Sequence, residues 1–456
     1  MLLPATPNEI KEMLASIGLN SLEALFEDIP SEVRLNRKLS VPPAMSEQEL
    51  RKKFHQLSKL NKTLDDQISF LGAGVYRHDI PAAIKPIISR GEFATAYTPY
   101  QAEASQGTLQ AIYEFQTLMC ELTALDVANA SHYDGATALA EAALMALDIT
   151  GQNEILISRG VHPHYRQVVE TYLEGRISSF HEVALENGIT SKKELERLFA
   201  SKPAALIVQY PNFFGGIEHL EELSDLCKKH HALLVVSVNE PIALGMLKAP
   251  GELGAAIVAG EGQSLGIPVS FGGPHVGFLA TKKEHMRRIP GRLVGQTLDK
   301  KGNRAFTLTL QAREQHIRRE KASSNVCTNQ SLCAVANAIY LSLLGKEGFA
   351  EMSLHSYHKA HYAFREWTKA GLKPVFTSSF YHEFPLEVPM NANEFISRMK
   401  KENILAGYSL KQDYPELPNS VLFTVTEMNS KEEIDTMTQA LHSICNSNKV
   451  GCASAS

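Results

Sequence analysis

Apolar and polar positions along the first ninety residues follow helical spacing. Thr6-Pro7-Asn8-Glu9 combines a capping-box pattern with proline at the first helical position, and Ile10, Met13, Leu14 and Ile17 then share one face. Ser46 to Glu49 repeats the cap signature, and Leu50, Phe54 and Leu57 follow at helical intervals. Residues 1–90 therefore read as a helical arm. A helix is predicted from Ser105 to Leu122, and beyond it short apolar runs alternate with helical segments. Strands are expected at Val127–Asn129, Ile155–Ile157, Ala205–Gln209, Leu233–Val238, Ile257–Val258 and Val276–Thr281. Helices are expected at Thr137–Leu147, Pro163–Leu173 and Leu220–His230. Continuous apolar strands separated by helices predict a mostly parallel, buried sheet, and hence an α/β fold.

The pattern changes again near Arg313–Asn325, which is polar and basic. An alanine-rich helical run from Gln330 to Leu344 follows, then strand-like runs near Tyr381–Val388 and Val421–Thr426. Residues 91–325 are thus expected to form a large α/β domain, 326–445 a smaller α+β domain, and 446–456, small and polar, a disordered tail. No short repeat and no Gly/Ser-rich linker is evident.

Composition narrows the function classes. The chain has 456 residues, with 44% hydrophobic and 21% charged residues, as in an ordinary soluble protein large enough for more than one core. A net charge of −5 without a basic block disfavours nucleic-acid and membrane-surface binding. No apolar stretch approaches bilayer length, and Met1-Leu2-Leu3-Pro4 runs at once into polar residues, so no secretory leader is expected. Six cysteines lie scattered without a C-x-x-C pair, which points to a reducing cytoplasm.

Several segments carry candidate chemistry. Asn129-Ala130-Ser131 with Asp134-Gly135-Ala136-Thr137 joins a strand to a helix, a place where free N–H groups can cradle phosphate. A tight turn capped by Asp134 or Thr137 explains the same residues. Tyr97, Tyr100 and Gln101 sit in a proline-stiffened loop and can stack on or orient a planar ligand, or simply pack on the core. Gly262 to Gly277 is glycine-rich, which suits close backbone approach or a hairpin at a sheet edge. Arg313 to Lys321 reads as a solvated helix face, yet it leads into Ser323-Ser324-Asn325, which can serve an anion. His162-Pro163-His164 lacks a third ligand of fitting spacing and reads as a partly exposed pair at a helix start. No Walker loop, G-x-S-x-G or dinucleotide fingerprint is present.

Taken together and in order, Phe70–Gly74, Tyr97–Gln101, Ser105–Gly107, Asn129–Thr137, Pro250–Gly254, Gly272–His275, Arg313–Arg319 and Ser324–Thr328 resemble the glycine decarboxylase family, the P-protein of the glycine cleavage system. The resemblance covers about residues 5 to 445 and is to the N-terminal half, which some bacteria make as a separate subunit 1. It implies the aspartate-aminotransferase-like fold (fold type I of pyridoxal-phosphate enzymes). It also implies decarboxylation of glycine, with transfer of the aminomethyl group to the lipoyl arm of the H-protein. In that chemistry pyridoxal phosphate is the electron sink.

The resemblance also implies where the cofactor's lysine should lie. In the catalytic half of the family it precedes the proline of an Ile-Pro pair by five residues, and the same count back from Pro268 reaches Gln263. An amide cannot form an imine, so covalent catalysis is not expected from this chain. Glu240 occupies the position expected to face the pyridine nitrogen, where a shorter Asp is usual. Ala256 and His132 are further departures from the family pattern. The expectation is a lysine-lacking subunit that pairs with a lysine-bearing subunit 2, as α2β2, in the cytoplasm, with the cofactor bound covalently by the partner. Tyr97, Tyr100, Gln101, Ser323, Ser324 and Asn325 are expected to reach the shared pocket. The rivals are a non-catalytic scaffold of the same fold and a stand-alone enzyme using Lys282 or Lys283. The latter is disfavoured because both lysines follow the Val276–Thr281 strand.

Overall fold

The computed structural model describes residues 5–322 and 324–453, with side chains through residue 444. It divides into two compact units at Lys62 and Thr63.

In the first unit, helices α1 (Pro7–Ser16) and α2 (Glu47–Ser58) begin at the two capping boxes. Thr6 and Ser46 each accept from the backbone three residues on, and Glu9 and Glu49 answer the cap backbones. The expected apolar face is present but is not packed. Within α1 only Leu14 is buried, and α2 buries no residue.

The second unit is built on a seven-stranded sheet. Its strands are β1 (Val127–Ala128), β2 (Glu154–Ser158), β3 (Ser179–Val183), β4 (Ala205–Gln209), β5 (Leu233–Val238), β6 (Ile257–Glu261) and β7 (Gly277–Thr281). They lie in the order β1-β7-β6-β5-β4-β2-β3. Every neighbouring pair from β6 to β3 is parallel, and β7 alone runs antiparallel, between β6 and β1. Alternating side chains feed two cores, as strand pleating requires. Leu206, Val208, Leu234, Val236 and Val258 pack towards α3 (Gln106–Thr123) and α6 (Leu220–Lys229). Ala205, Ile207, Val235, Ile257 and Ala259 pack towards α4 (Gly135–Thr150) and α5 (Pro163–Leu173). The result is a helix–sheet–helix sandwich.

A second, antiparallel sheet follows, made of β8 (Lys373–Pro374), β9 (Glu383–Glu387), β10 (Tyr408–Ser409) and β11 (Ser420–Thr424) in the order β8-β9-β11-β10. It packs on α7 (Ser331–Lys369), α8 (Ala392–Lys401) and α9 (Lys431–Ala453) around the buried Trp367, Phe384, Phe395 and Phe423. Residues 63–90 belong to this second unit instead of to the arm. Ile68–Ser69 pairs in parallel with Ile404–Leu405, and Phe70 is fully buried. Helix α9 continues to Ala453, into the stretch expected to be tail, and 454–456 lie outside the described residues.

Candidate functional site

Ligand sites of open α/β sheets form at the carboxyl ends of parallel strands. Here that rim carries Glu240 after β5, Glu261 and Gln263 at and after β6, and Ser131 to Gly135 between β1 and α4. Gln263 is buried and held on all sides. Its Oε1 accepts from Tyr76 N at 3.1 Å, its Nε2 donates to Ile267 O at 2.7 Å, and its backbone N donates to Glu261 at 3.0 Å. The amide is a fixed structural group, with both ends of its dipole satisfied inside the chain.

The turn read as a possible phosphate cradle is filled by the chain's own carboxylates. Asp134 Oδ1 accepts from Thr137 N at 2.8 Å and closes a capping box. Gly135 N donates to Glu261 Oε2 at 2.9 Å, while Glu261 Oε1 accepts from Gln263 N and Val276 N, each at 3.0 Å. The helix N-terminus therefore meets an internal anion, which satisfies the same amides and dipole that would bind an external one. A Cβ at Gly135 would stand 2.5 Å from Tyr165 Oη, so the turn is also sterically closed.

Glu240 is equally engaged. Its Oε1 accepts from Ile242 N at 2.8 Å, and its Oε2 accepts from Ser264 Oγ at 2.7 Å and lies 3.3 Å from His78 Nε2. The other nitrogen of His78 lies 2.7 Å from Glu427. Burial works against a charge on His78, but Glu240 and Glu427 outweigh it and hold the imidazole up to about 10. Next to this pair stands His382, whose ring lies 4.9 Å from Tyr76 and 6.4 Å from His78. Burial pushes His382 down to about 4. The neighbouring Glu383 accepts from Tyr76 Oη at 2.8 Å, and from Ala73 N and Thr424 Oγ1, each at 2.7 Å. Burial raises Glu383 to about 7.

The Phe70–Gly74 segment now has a physical reason. A Cβ on Gly72 would stand 1.9 Å from Thr424 Oγ1, and Gly74 has φ +99° against His162. Only glycine lets the chain pass so close to Thr424 and Glu383 at position 72 and to His162 at position 74.

The other sequence candidates lie outside this crevice. Tyr97 is 77% exposed, Tyr100 is 52% exposed, and Gln101 is exposed beside them. Tyr100 Oη accepts from Arg292 Nη2 at 3.0 Å, Arg292 stacks over its ring at 5.3 Å, and the His316 ring lies 6.2 Å away. Thus the aromatic loop meets the basic 313–319 segment, but neither bonds to Gln263. That segment is not one solvated helix. It breaks into Gln315–Arg318 and Arg319–Lys321, with φ +53° at Arg319. Ser324 is bonded to Glu141, Asn325 is exposed, and Ser323 lies outside the described residues. His162 is buried and not partly exposed. Its Nδ1 accepts from His164 N and its Nε2 lies 2.9 Å from Ala73 O. Lys282 and Lys283 follow β7, and since Thr281 pairs with Ile257 at the start of β6, they lie at the opposite end of these strands from Gln263. Sequence reasoning did not single out His78, His382, Glu427, Glu261 or Arg292. Glu261 ends an apolar strand, the one local signal available.

This sheet order, with a C-terminal antiparallel sheet and a polar rim at the strand ends, is that of the fold type I pyridoxal-phosphate enzymes. A cysteine desulfurase from Thermococcus onnurineus NA1 shares the fold at a TM-score of 0.61 and 14% identity, over 89% of this chain and 99% of that one. Residues 1–441 match the family described as "Glycine cleavage system P-protein", and the chain belongs to that family. It is 51% identical to a probable glycine dehydrogenase (decarboxylating) subunit 1 of Carboxydothermus hydrogenoformans, over 96% of this chain and 98% of that protein. A protein of the same description from Moorella thermoacetica is 50% identical over 97% and 99%. A crystal structure of glycine decarboxylase (P-protein) of the glycine cleavage system in inhibitor-bound form is 41% identical, with a TM-score of 0.88, over 97% of this chain and 100% of that one.

The cofactor of this fold class does not fit the crevice of this chain. Position 263 offers an amide instead of an amine, Glu261 fills the anion cradle, and Glu240 is taken up by His78 and Ser264.

Proposed function

We propose that this chain is the lysine-lacking subunit 1 of a glycine dehydrogenase (decarboxylating). It would act with a lysine-bearing subunit 2 to decarboxylate glycine and pass the aminomethyl group to the lipoyl arm of an H-protein. The observation that carries the reading is the sealed crevice around Gln263, within a chain so similar to such subunits over nearly its full length. Pyridoxal phosphate, bound covalently by the partner in this reading, supplies the electron sink for decarboxylation. The assembly we favour is an α2β2 heterotetramer in the cytoplasm, because closed symmetry is the common outcome for such interfaces. Among the described residues, no helix is long and apolar enough to cross a membrane.

The task left to this chain is positioning. Tyr100 is fixed by Arg292, and Tyr97 and Gln101 stand exposed on the same loop, so their phenols and amide are free to line a pocket completed by the partner. Ser323, Ser324 and Asn325 are proposed to approach the partner's phosphate site, for which Ser324 would exchange its bond to Glu141.

The test is co-expression with the lysine-bearing subunit, followed by a glycine–bicarbonate exchange assay and borohydride reduction. Exchange is expected only in the mixture, with the reduced cofactor on the partner alone. A reduced adduct on any lysine of this chain would overturn the reading.

A further inference from the structure

The buried crevice contains a cluster that the glycine reaction does not use. His78, Glu240 and His382 come from three separate places: the loop after Phe70–Gly74, the carboxyl end of β5, and the residue just before β9. All three are buried, and one ligand atom from each lies within 4.8 Å of the others. We propose that His78 Nε2, a Glu240 carboxylate oxygen and a His382 ring nitrogen form a site for a divalent cation of the zinc type.

Three observations support it independently of any role in catalysis. First, neither ring nitrogen of His382 has a hydrogen-bond partner, although the residue is only 2% exposed. A buried imidazole with both nitrogens idle is costly, and a metal bond supplies the missing partner. Second, His78 Nε2 and Glu240 Oε2 are 3.3 Å apart, about the edge of a tetrahedron with metal–ligand bonds near 2.0 Å. The third ligand, His382, brings a ring nitrogen to within 4.8 Å of both. Third, the far nitrogen of His78 faces Glu427 at 2.7 Å, and Glu427 is fixed in turn by Asp79 N at 2.7 Å and Ser356 Oγ at 3.0 Å. A carboxylate behind a histidine is the usual means of orienting a metal-bound imidazole. Two imidazoles and one carboxylate favour zinc over magnesium or calcium, which take oxygen donors. The charge balance is simple. The cation displaces the proton that His78 Nε2 directs at Glu240, one proton leaves, and His78 becomes neutral with its Nδ1–H donated to Glu427. Such an ion would tie the main sheet to the second sheet across the crevice.

The experiment uses the full-length chain, saturated with zinc and then dialysed exhaustively against metal-free buffer. Elemental analysis should find about one zinc per chain, and X-ray absorption should show two imidazoles around it. His382→Gln should lose the retained zinc, together with any rise in melting temperature that zinc gives the wild type. Wild-type protein without stoichiometric zinc, zinc without an imidazole pair, or undiminished zinc in His382→Gln would each overturn the proposal. Should His382→Gln fail to fold, absorption on the wild type decides alone. Metal content is read without glycine turnover, so failure here is distinct from failure of the proposed function.

Discussion

At the scale of single residues, the charges and amides around Gln263 and Glu261 satisfy one another, while His382 beside them keeps both ring nitrogens without a partner. Glu141 is a sharper case, because it is buried in α4, and burial raises its carboxyl to about 7, only partly offset by Ser324 and Arg176. In the unfolded chain the group titrates near 4.5. The folded state therefore binds the extra proton between these values. The stability contributed by the neutral form is complete below the lower value and drains away as pH rises through the upper one. Glu141→Gln should flatten that dependence and leave the variant more stable than wild type above neutrality, by up to about 3 kcal/mol. Denaturant midpoints measured across the mildly acidic to mildly alkaline range check this. A wild-type curve that rises with pH, or parallel curves for the two proteins, would contradict the assignment. Little of this was legible from the sequence. Glu141 reads as one polar position in an alanine-rich helix, and only the packing of α4 against the sheet makes it buried.

Whole elements were far more legible, for a physical reason. Buried parallel strands must be apolar on both faces, so Ala205–Gln209 and Leu233–Val238 stand out and are found with the same bounds. The edge strand β3, Ser179–Val183, escaped notice because it is half-buried and carries Ser179, His181 and Glu182. The hairpin Leu293–Leu298 with Arg304–Thr309 escaped for a similar reason, one strand ending exposed. The alanine-rich run was expected to stop at Leu344, and the backbone does leave helical geometry at Gly345, φ +59°, but a second helical run resumes as far as Lys369. The polar rim was the hard part, since residues such as Glu240 and Glu261 have no periodic signature and come to one rim only through strand order. At the start of α4 the choice was between a phosphate cradle and a capped turn, and the cap is what is built. Asp134→Ala should cost roughly 1 kcal/mol of stability through the lost bond to Thr137 N. Inorganic phosphate should restore none of it, because Glu261 already holds the neighbouring amide. Recovery of the midpoint in millimolar phosphate would mean that the cradle is open after all.

At the scale of the whole molecule, the crevice and the exposed aromatic loop pose opposite problems. The crevice is buried and Gln263 in it is bonded within the chain, whereas the loop presents Tyr97, Tyr100 and Gln101 outward, and Phe271 in the glycine-rich connection is fully exposed. A monomer gains nothing from large aromatic side chains held in water, whereas a shared active site needs them there. The chain and its lysine-bearing partner should therefore migrate as one species at micromolar concentration, and independent sedimentation would defeat the interface. Within that complex, the loop can serve either the reaction or only the association. Tyr100→Phe removes the oxygen that receives Arg292 while keeping the ring, and Gln101→Ala removes an amide with little apolar area. If these groups orient reacting atoms, turnover per intact heteromer should fall by roughly tenfold or more, because small misplacements of a reacting group carry large rate factors. Assembly should be unchanged in both variants. A purely structural loop predicts the reverse, weaker association with normal turnover in whatever complex forms. Sedimentation and glycine–bicarbonate exchange on the same sample separate the two. Wild-type turnover per heteromer in both variants would remove Tyr100 and Gln101 from the site and leave this chain the role of a scaffold.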